Sequence, residues 1–369
     1  GVLAALSRGP AIVVGLAGGG FVDRTRRRPV LVGADLGRAV ALATIPLAAV
    51  THRLGMVQLY VVAAVVGALS VLFDIADHAY LPTLIRRDQL VDGNSKLAIT
   101  DSVAEIGGPG LYGVLFQLLT APIAIAVNAA TYLFSALALA AIRKPEPAPA
   151  PDAAEGPVHP LADFAAGLRA ALGHPALRPL LVMATVADLF GGFFSALYTL
   201  YAIRVLGLSA PMLGTTVAVG GVAALGGAAM AGPVIRRLGL GPAFALGGLA
   251  AAVGTLFIPL GRGAPVVGMA FLIASQIAGD SFGTVADVAG RSLRQTLAPP
   301  ALLGRVGGVF AALPGATGVT GAVLGGVLGG VLGVRPALWI ACAGLISAAL
   351  IPLFSPLARL KDAPASAEA

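Results

Sequence analysis

The sequence predicts an all-helical protein that crosses a membrane many times. Three observations carry this. Of 369 residues, 57% are hydrophobic and only 11% charged, where a soluble domain carries about 25% charged residues. Eleven segments supply the ~20 apolar residues that a helix needs to span hydrocarbon: 2–22, 30–50, 57–82, 94–118, 121–142, 177–203, 210–233, 241–261, 264–288, 306–332 and 336–356. The basic residues, finally, gather in alternate connections between those segments.

Lys and Arg set orientation, because cytoplasmic loops carry them in excess. One series of connections holds eighteen, including Arg24, Arg26, Arg27 and Arg28, then Arg86 and Arg87, then Arg236 and Arg237, then Arg291, Arg294 and Arg305. The other series holds four: Arg53, Arg204, Arg262 and Arg335. The richer side, C-terminus included, is read as cytoplasmic. Gly1 then lies outside, and one further helix upstream is expected to complete an even plan. The net charge of +7 sits in these turns, so the partner it implies is a lipid bilayer and not nucleic acid. The single Cys342 excludes an internal disulfide and a multi-cysteine metal site. No nucleophile–His–acid set, phosphate-binding loop or zinc motif is present, so no enzyme activity, metal or cofactor is expected.

The longest connection divides the chain into a helix bundle at 1–142, a cytoplasmic linker at 143–176, a second bundle at 177–356 and a tail at 357–369. Lys144–Pro151 is Pro-rich and extended. Leu161–Leu172 sets Leu161, Phe164, Ala165, Leu168 and Leu172 on one helical face, which predicts an amphipathic helix on the membrane surface. The halves echo each other. Arg27-Arg28 after a glycine-rich helix matches Arg236-Arg237 after Gly226-Gly227, and Gly108-Pro109 matches Pro314-Gly315. Weak internal symmetry of this kind marks transporters built from repeats.

Several stretches carry a closer likeness: Gly19-x-x-x-Asp23-Arg24-x-x-Arg27-Arg28 continuing to Asp35-Leu-Gly-Arg38; Leu81-Pro-Thr-Leu84 through Asn94; Gly108-Pro109 with Gly113; Asn128 to Ser135; and Leu293-Arg294-Gln295 through Leu303-Gly304-Arg305. Together they resemble the major facilitator superfamily, and within it the bacterial efflux group typified by the enterobactin exporter. The resemblance implies two six-helix bundles, with eleven helices present here and the first missing. It implies a monomer in the bacterial cytoplasmic membrane that moves a small amphipathic solute, such as a siderophore or drug, by alternating access. Gly108-Pro109-x-x-Tyr112-Gly113 resembles the antiporter motif of efflux members, which implies export in exchange for protons; Ala104 and Tyr112 depart from that motif. Arg26 stands where the superfamily loop usually has Gly. Uptake, and a transport-inactive receptor or scaffold of the same fold, stay open.

Candidate site residues follow. In the loop motif Gly19, Asp23, Arg24, Arg27 and Arg28, an acid at a helix end can pair with a basic loop residue or with the positive N-terminus of a neighbouring helix. The resemblance implies a latch for the outward-facing state; a plain topology anchor is the other reading. Charges inside a membrane normally face a cavity or a partner. Glu105 and Asp101 lie one turn apart, and two close carboxylates favour holding a proton; with Asp188 and Asp280 they are the proton-coupling candidates, structural pairing being the alternative. Arg8, Asn128 and Gln276 are candidates for a substrate cavity, with snorkelling or helix–helix hydrogen bonding as alternatives. Asp74 and Asp77, beside His78, are expected to form an inner-gate cluster with Arg86, Arg87, Asp287 and Arg294. Gly108, Pro109 and Gly113 form a helix-kink motif. Gly318, Gly321, Gly325 and Gly329 recur at helical spacing, a stripe that suits close helix packing.

Overall fold

The computed structural model describes residues 10–118, 121–146 and 160–360. In chain order its helices are α1 (Pro10–Arg24), α2 (Arg27–Val50), α3 (Met56–Leu84), α4 (Leu90–Leu118), α5 (Ala121–Ala141), α6 (Pro160–Gly173), α7 (Leu177–Leu200), α8 (Ala210–Leu238), α9 (Leu240–Gly254), α10 (Pro265–Leu297), α11 (Leu303–Val331) and α12 (Val334–Leu353). No strand occurs among the described residues. Nine spans among them are long and apolar enough to cross a membrane. With α1 and α4 these fall at the eleven expected positions.

Among the boundaries that differ from expectation, two have a plain physical reason. The segment expected at 241–261 breaks after Gly254 and resumes as the single turn Phe257–Leu260. Pro259 has no N–H and its ring crowds the carbonyl four residues back, at Thr255, where the helix stops. Helix α10 runs to Leu297 instead of 288, because Ser292, Leu293, Gln295 and Thr296 are buried in packing beyond the apolar run.

The chain divides into two compact units. The first holds Gly1–Arg86, Pro109–Ala171 and Ala298–Leu313; the second holds Arg87–Gly108, Leu172–Leu297 and Pro314–Ala369. Helices α4 and α11 therefore each pass from one unit to the other in mid-helix, between Gly108 and Pro109 and between Leu313 and Pro314. Those are the positions that echo each other in sequence.

In the first unit α1 packs on α3, and α2 packs on α3 and α5. Val22, Leu31, Ile75, Ala76, Ala79 and Tyr80 form its core, with Leu303 and Ala311 of α11 against them. Asp35 and Arg38, three residues apart on α2, form an ion pair. The pair is almost fully buried, which is tolerable only with further partners: the Arg38 guanidinium lies 4.5 Å from the ring centres of both Phe73 and Tyr132 and donates to Ser70 Oγ at 3.2 Å. Such stacking compensates a desolvated cation.

In the second unit α8 and α9 pack on α10, and α12 packs on α7 and α9. The glycine stripe of α11 packs as its spacing predicts. A Cβ on Gly321 would strike the Leu189 carbonyl, and one on Gly325 would lie 2.7 Å from Phe193 Cα. Away from the stripe, Gly326 and Gly330 have open space. Helix α7 ends in a π-turn, Tyr201–Val205. The buried Tyr201 hydroxyl donates to the Gly261 carbonyl at 3.0 Å, and Arg335 donates to the same carbonyl at 2.6 Å and to the hydroxyl at 3.1 Å.

Candidate functional site

The loop motif forms a buried ionic network within the first unit. Asp23 is 1% exposed. Its Oδ1 accepts from the Gly304 N–H at 2.5 Å and its Oδ2 from the Arg305 N–H at 2.8 Å. These are orphan donors of the first turn of α11, where the helix dipole also favours an anion. Of the two pairings open in the sequence, the structure shows the helix N-terminus. The contact needs close backbone approach: a Cβ on Gly19 would lie 2.5 Å from the Gly304 carbonyl oxygen and 2.8 Å from Arg305 Cα. Burial pushes the Asp23 carboxyl up to about 6, against the opposing pull of the Arg305 and Gly304 N–H groups and of the Arg27 and Arg305 charges.

The arginines of the motif are each engaged. Arg24 donates two hydrogen bonds to Asp163 of α6, at 2.7 and 3.0 Å; they push its guanidinium above the ordinary arginine range. Arg305 reaches the same carboxylate at 3.1 Å. Glu146 accepts from the backbone N–H groups of Arg27 at 2.6 Å and Arg28 at 3.1 Å, and lies 3.6 Å from the Arg27 guanidinium. Arg28 donates to the carbonyls of Leu139 and Ala140 at the end of α5. The linker helix is thus docked on protein through Asp163, Gly167 and Ala171, all buried, while Leu161 and Leu172 of its apolar face are exposed.

The second unit holds a cavity of about 340 Å³ between α8 and α10. Gln276, Asp280, Thr284 and Asp287 line it from α10, and Val217, Gly220, Gly221 and Ala224 from α8. Glycine makes the room: a Cβ on Gly220 would strike Gln276 Nε2 and lie 2.5 Å from Asp280 Oδ2. Gln276 and Asp280, assigned separately to substrate and proton from the sequence, share this cavity with Asp287. Asp287 also pairs with Arg291 at 2.7 Å, and Asp101 of α4 lies 3.9 Å from the same arginine. Asn94 of α4 donates to Ser292 Oγ at 3.0 Å and Gln295 Oε1 at 2.7 Å.

The remaining candidates are placed as follows. Asp188 is exposed on α7 and Asn128 is exposed on α5. Asp74, Asp77 and His78 lie on α3, with His78 Nδ1 2.7 Å from the Asp74 carbonyl; Arg86 is exposed just beyond, and Arg294 is half-buried on α10. No cluster of three metal-ligating side chains occurs among the described residues. Arg8 lies outside the described residues, as do the side chains of Arg87 and Glu105. Gly108, Pro109 and Gly113 fall in α4 where only its backbone is described. Sequence reasoning missed Glu146, Asp163 and the Asn94 contacts. The signal for Asp163 was the small-residue row Asp163, Gly167, Ala171 at four-residue spacing.

The chain is similar to the multidrug efflux pump Tap of Mycolicibacterium fortuitum, with 28% identity over 362 residues, covering 96% of this chain and 86% of that protein. Among solved structures, the human organic anion transporter MFSD10 (TETRAN) superposes with a TM-score of 0.76 at 20% identity, covering 95% of this chain and 82% of that one. A bacterial homologue of the iron transporter ferroportin, in its outward-facing state, gives 0.70 at 17% identity, covering 95% and 88%. At such identities the likeness to solved structures is one of fold. The sequence pattern of the Major Facilitator Superfamily matches residues 1–313, and the chain belongs to that family of multi-pass membrane transporters.

Proposed function

We propose that this protein exports small amphipathic molecules across the bacterial cytoplasmic membrane in exchange for protons. The observation that carries the proposal is the cavity between α8 and α10, where Gln276 and Asp280 face a wall of glycine. A carboxyl group in a membrane cavity can trade a proton for a solute, because each state of the acid favours a different occupant. Asp280 is the proton carrier and Gln276 a substrate hydrogen-bonding group; Glu105, Asp101 and Asp188 are the further acids. Efflux as the direction is supported by the similarity to a multidrug efflux pump. Asp23 and its arginines form the cytoplasmic latch, on the side where the C-terminus also lies, and α4 and α11 flex at Gly108-Pro109 and Pro314 as the carrier alternates.

The test is substrate-triggered proton flux in proteoliposomes under an imposed pH gradient, with lipophilic drugs and siderophores as the panel. Wild type is expected to move protons when a substrate is added, and Asp280→Asn to lose that flux. Flux that survives Asp280→Asn and fails in Glu105→Gln moves the coupling site to α4. Binding without flux in either direction overturns the exporter in favour of a receptor.

A further inference from the structure

The linker helix α6 meets the latch through a charge and not through its leucines. We infer that Asp163 is a positioning residue of the cytoplasmic latch, holding Arg24 and Arg305 together in the closed state and making α6 a third member of the latch. The inference rests on reading the Asp23 contact as a transport latch.

Asp163 is 5% exposed. Its carboxylate is chelated by both Nη atoms of Arg24 and also bonded by Arg305. These two cations come from different elements, the end of α1 and the first turn of α11. Closing the latch brings them to one point, and the Asp23 carboxylate there accepts backbone N–H bonds. Without Asp163 the closed state would press two poorly solvated guanidinium groups together, which costs far more in a low-dielectric site than in water. With it the charges balance: Asp23, Glu146 and Asp163 against Arg24, Arg27 and Arg305.

The backbone is shaped for this contact. A Cβ on Gly20 would strike Asp163 Oδ2, and one on Gly167 would lie 2.5 Å from the Arg305 carbonyl oxygen. Arg24 and Asp163 make the stronger, two-pronged bond, whereas Arg305 contributes one. The single bond to Arg305 is the weaker of the two attachments, so Arg305 is the partner that withdraws when the latch opens. Asp163 then stays chelated to Arg24, and α6 remains with α1 as the catch that receives α11 again.

A buried reporter tests this. Ile75 is 3% exposed, and a Cβ on Gly307 of α11 would lie 3.8 Å from its side chain. In inside-out vesicles carrying Cys342→Ala and Ile75→Cys, maleimide labelling of residue 75 reads withdrawal of α11. Labelling is normalised to the amount of protein and to an exposed control, Lys96→Cys. Asp23→Ala, Asp163→Asn and Arg305→Gln are each expected to raise the rate about fivefold or more, with the Asp163→Asn/Arg305→Gln double variant no faster than the faster single. A rise with Asp23→Ala but none with Asp163→Asn overturns the proposal and leaves the latch standing. Additive effects of Asp163→Asn and Arg305→Gln also overturn it, because the two would then act separately. No rise with any variant overturns the latch reading and the proposal with it.

Discussion

Two arginine turns follow glycine-rich helices in this chain, and their surroundings are opposite. Where α1 ends, Arg27 is 7% exposed and Asp23 1%. In the last turn of α8, the side chains of Arg236 and of its partner Asp92 are 65% and 63% exposed, 3.6 Å apart. Both turns abut the first turn of a helix that passes between units, α11 in one case and α4 in the other. At α11 the acid comes from the neighbouring helix and the N-terminus of α11 supplies the positive pole. At α4 the acid, Asp92, belongs to the helix's own first turn and the arginine comes from α8. The two turns share their basic residues, and the polarity of the contact is reversed between them. Only the buried version carries large energies, since water screens the exposed one.

The largest effects are therefore expected at the α1 turn. Asp23→Ala leaves the Gly304 and Arg305 N–H groups buried without acceptors, at about 1–3 kcal/mol each. Substrate-driven proton flux is expected to fall at least about tenfold. Gly19→Val should do the same by steric means, since the Gly304 carbonyl already occupies the space of a Cβ. Transport retained in both variants would erase the distinction between the two turns.

Glu146 comes next. Its carboxylate accepts from the N–H groups of Arg27 and Arg28 at the start of α2, which receives no side-chain cap from the residue before it, Arg26. Glu146→Ala is expected to cost about 1 kcal/mol, the usual worth of a cap. A lowered melting temperature in detergent would show it; an unchanged one would mean that water replaces the carboxylate.

The pH dependence is smaller and separates the turns differently. The Asp23 carboxyl is raised to about 6 by burial against α11, from an ordinary 3.8, although Arg24, Arg27 and Arg305 surround it. On the proposed latch, the closed state thus binds a proton more tightly than an open, solvated one. Linkage then says that closure is favoured as pH falls through about 6, and that this gain is lost as pH rises through the same value. Labelling of Ile75→Cys, normalised to Lys96→Cys, should slow as cytoplasmic-side pH drops from about 7.5 to about 5.5, a window set by this shift. Asp23→Ala should show no such slowing. A rate that rises on acidification would mean that the two N–H bonds outweigh burial.

How much of this was legible beforehand depends on range. The helices were, because hydrophobic runs of membrane length are local. The acceptor role of Asp23 was, because acid after a glycine-rich helix and before arginines leaves few partners. Which helix it would cap was not, since Gly304 lies 281 residues away. Asp163 was hidden by a stronger pattern: five apolar residues on one face of α6 form the louder periodic signal, and the opposite row of Asp163, Gly167 and Ala171 carries a single acid. On the α10 side of the cavity Gln276, Asp280 and Asp287 each stood out as polar groups in an apolar run, but for three separate roles. The α8 wall was not legible, because glycines at 220 and 221 show their purpose only against the side chains that fill the space they leave.

The smallest effect is expected at the exposed turn, and it is the sharpest check on the comparison. Arg236→Gln removes a partner from an ion pair in open solvent, where such pairs contribute about 0–1 kcal/mol. Proton flux should stay within about twofold of wild type, and raising the salt concentration should leave the variant and the wild type alike. Sequence symmetry alone would assign Arg236-Arg237 the same weight as Arg27-Arg28. If Arg236→Gln proved as damaging as Asp23→Ala, the exposed pair must become buried in another state of the carrier. The two turns would then be alternating latches, each closed when the other is open, and polarity, not burial, would be the only difference left between them.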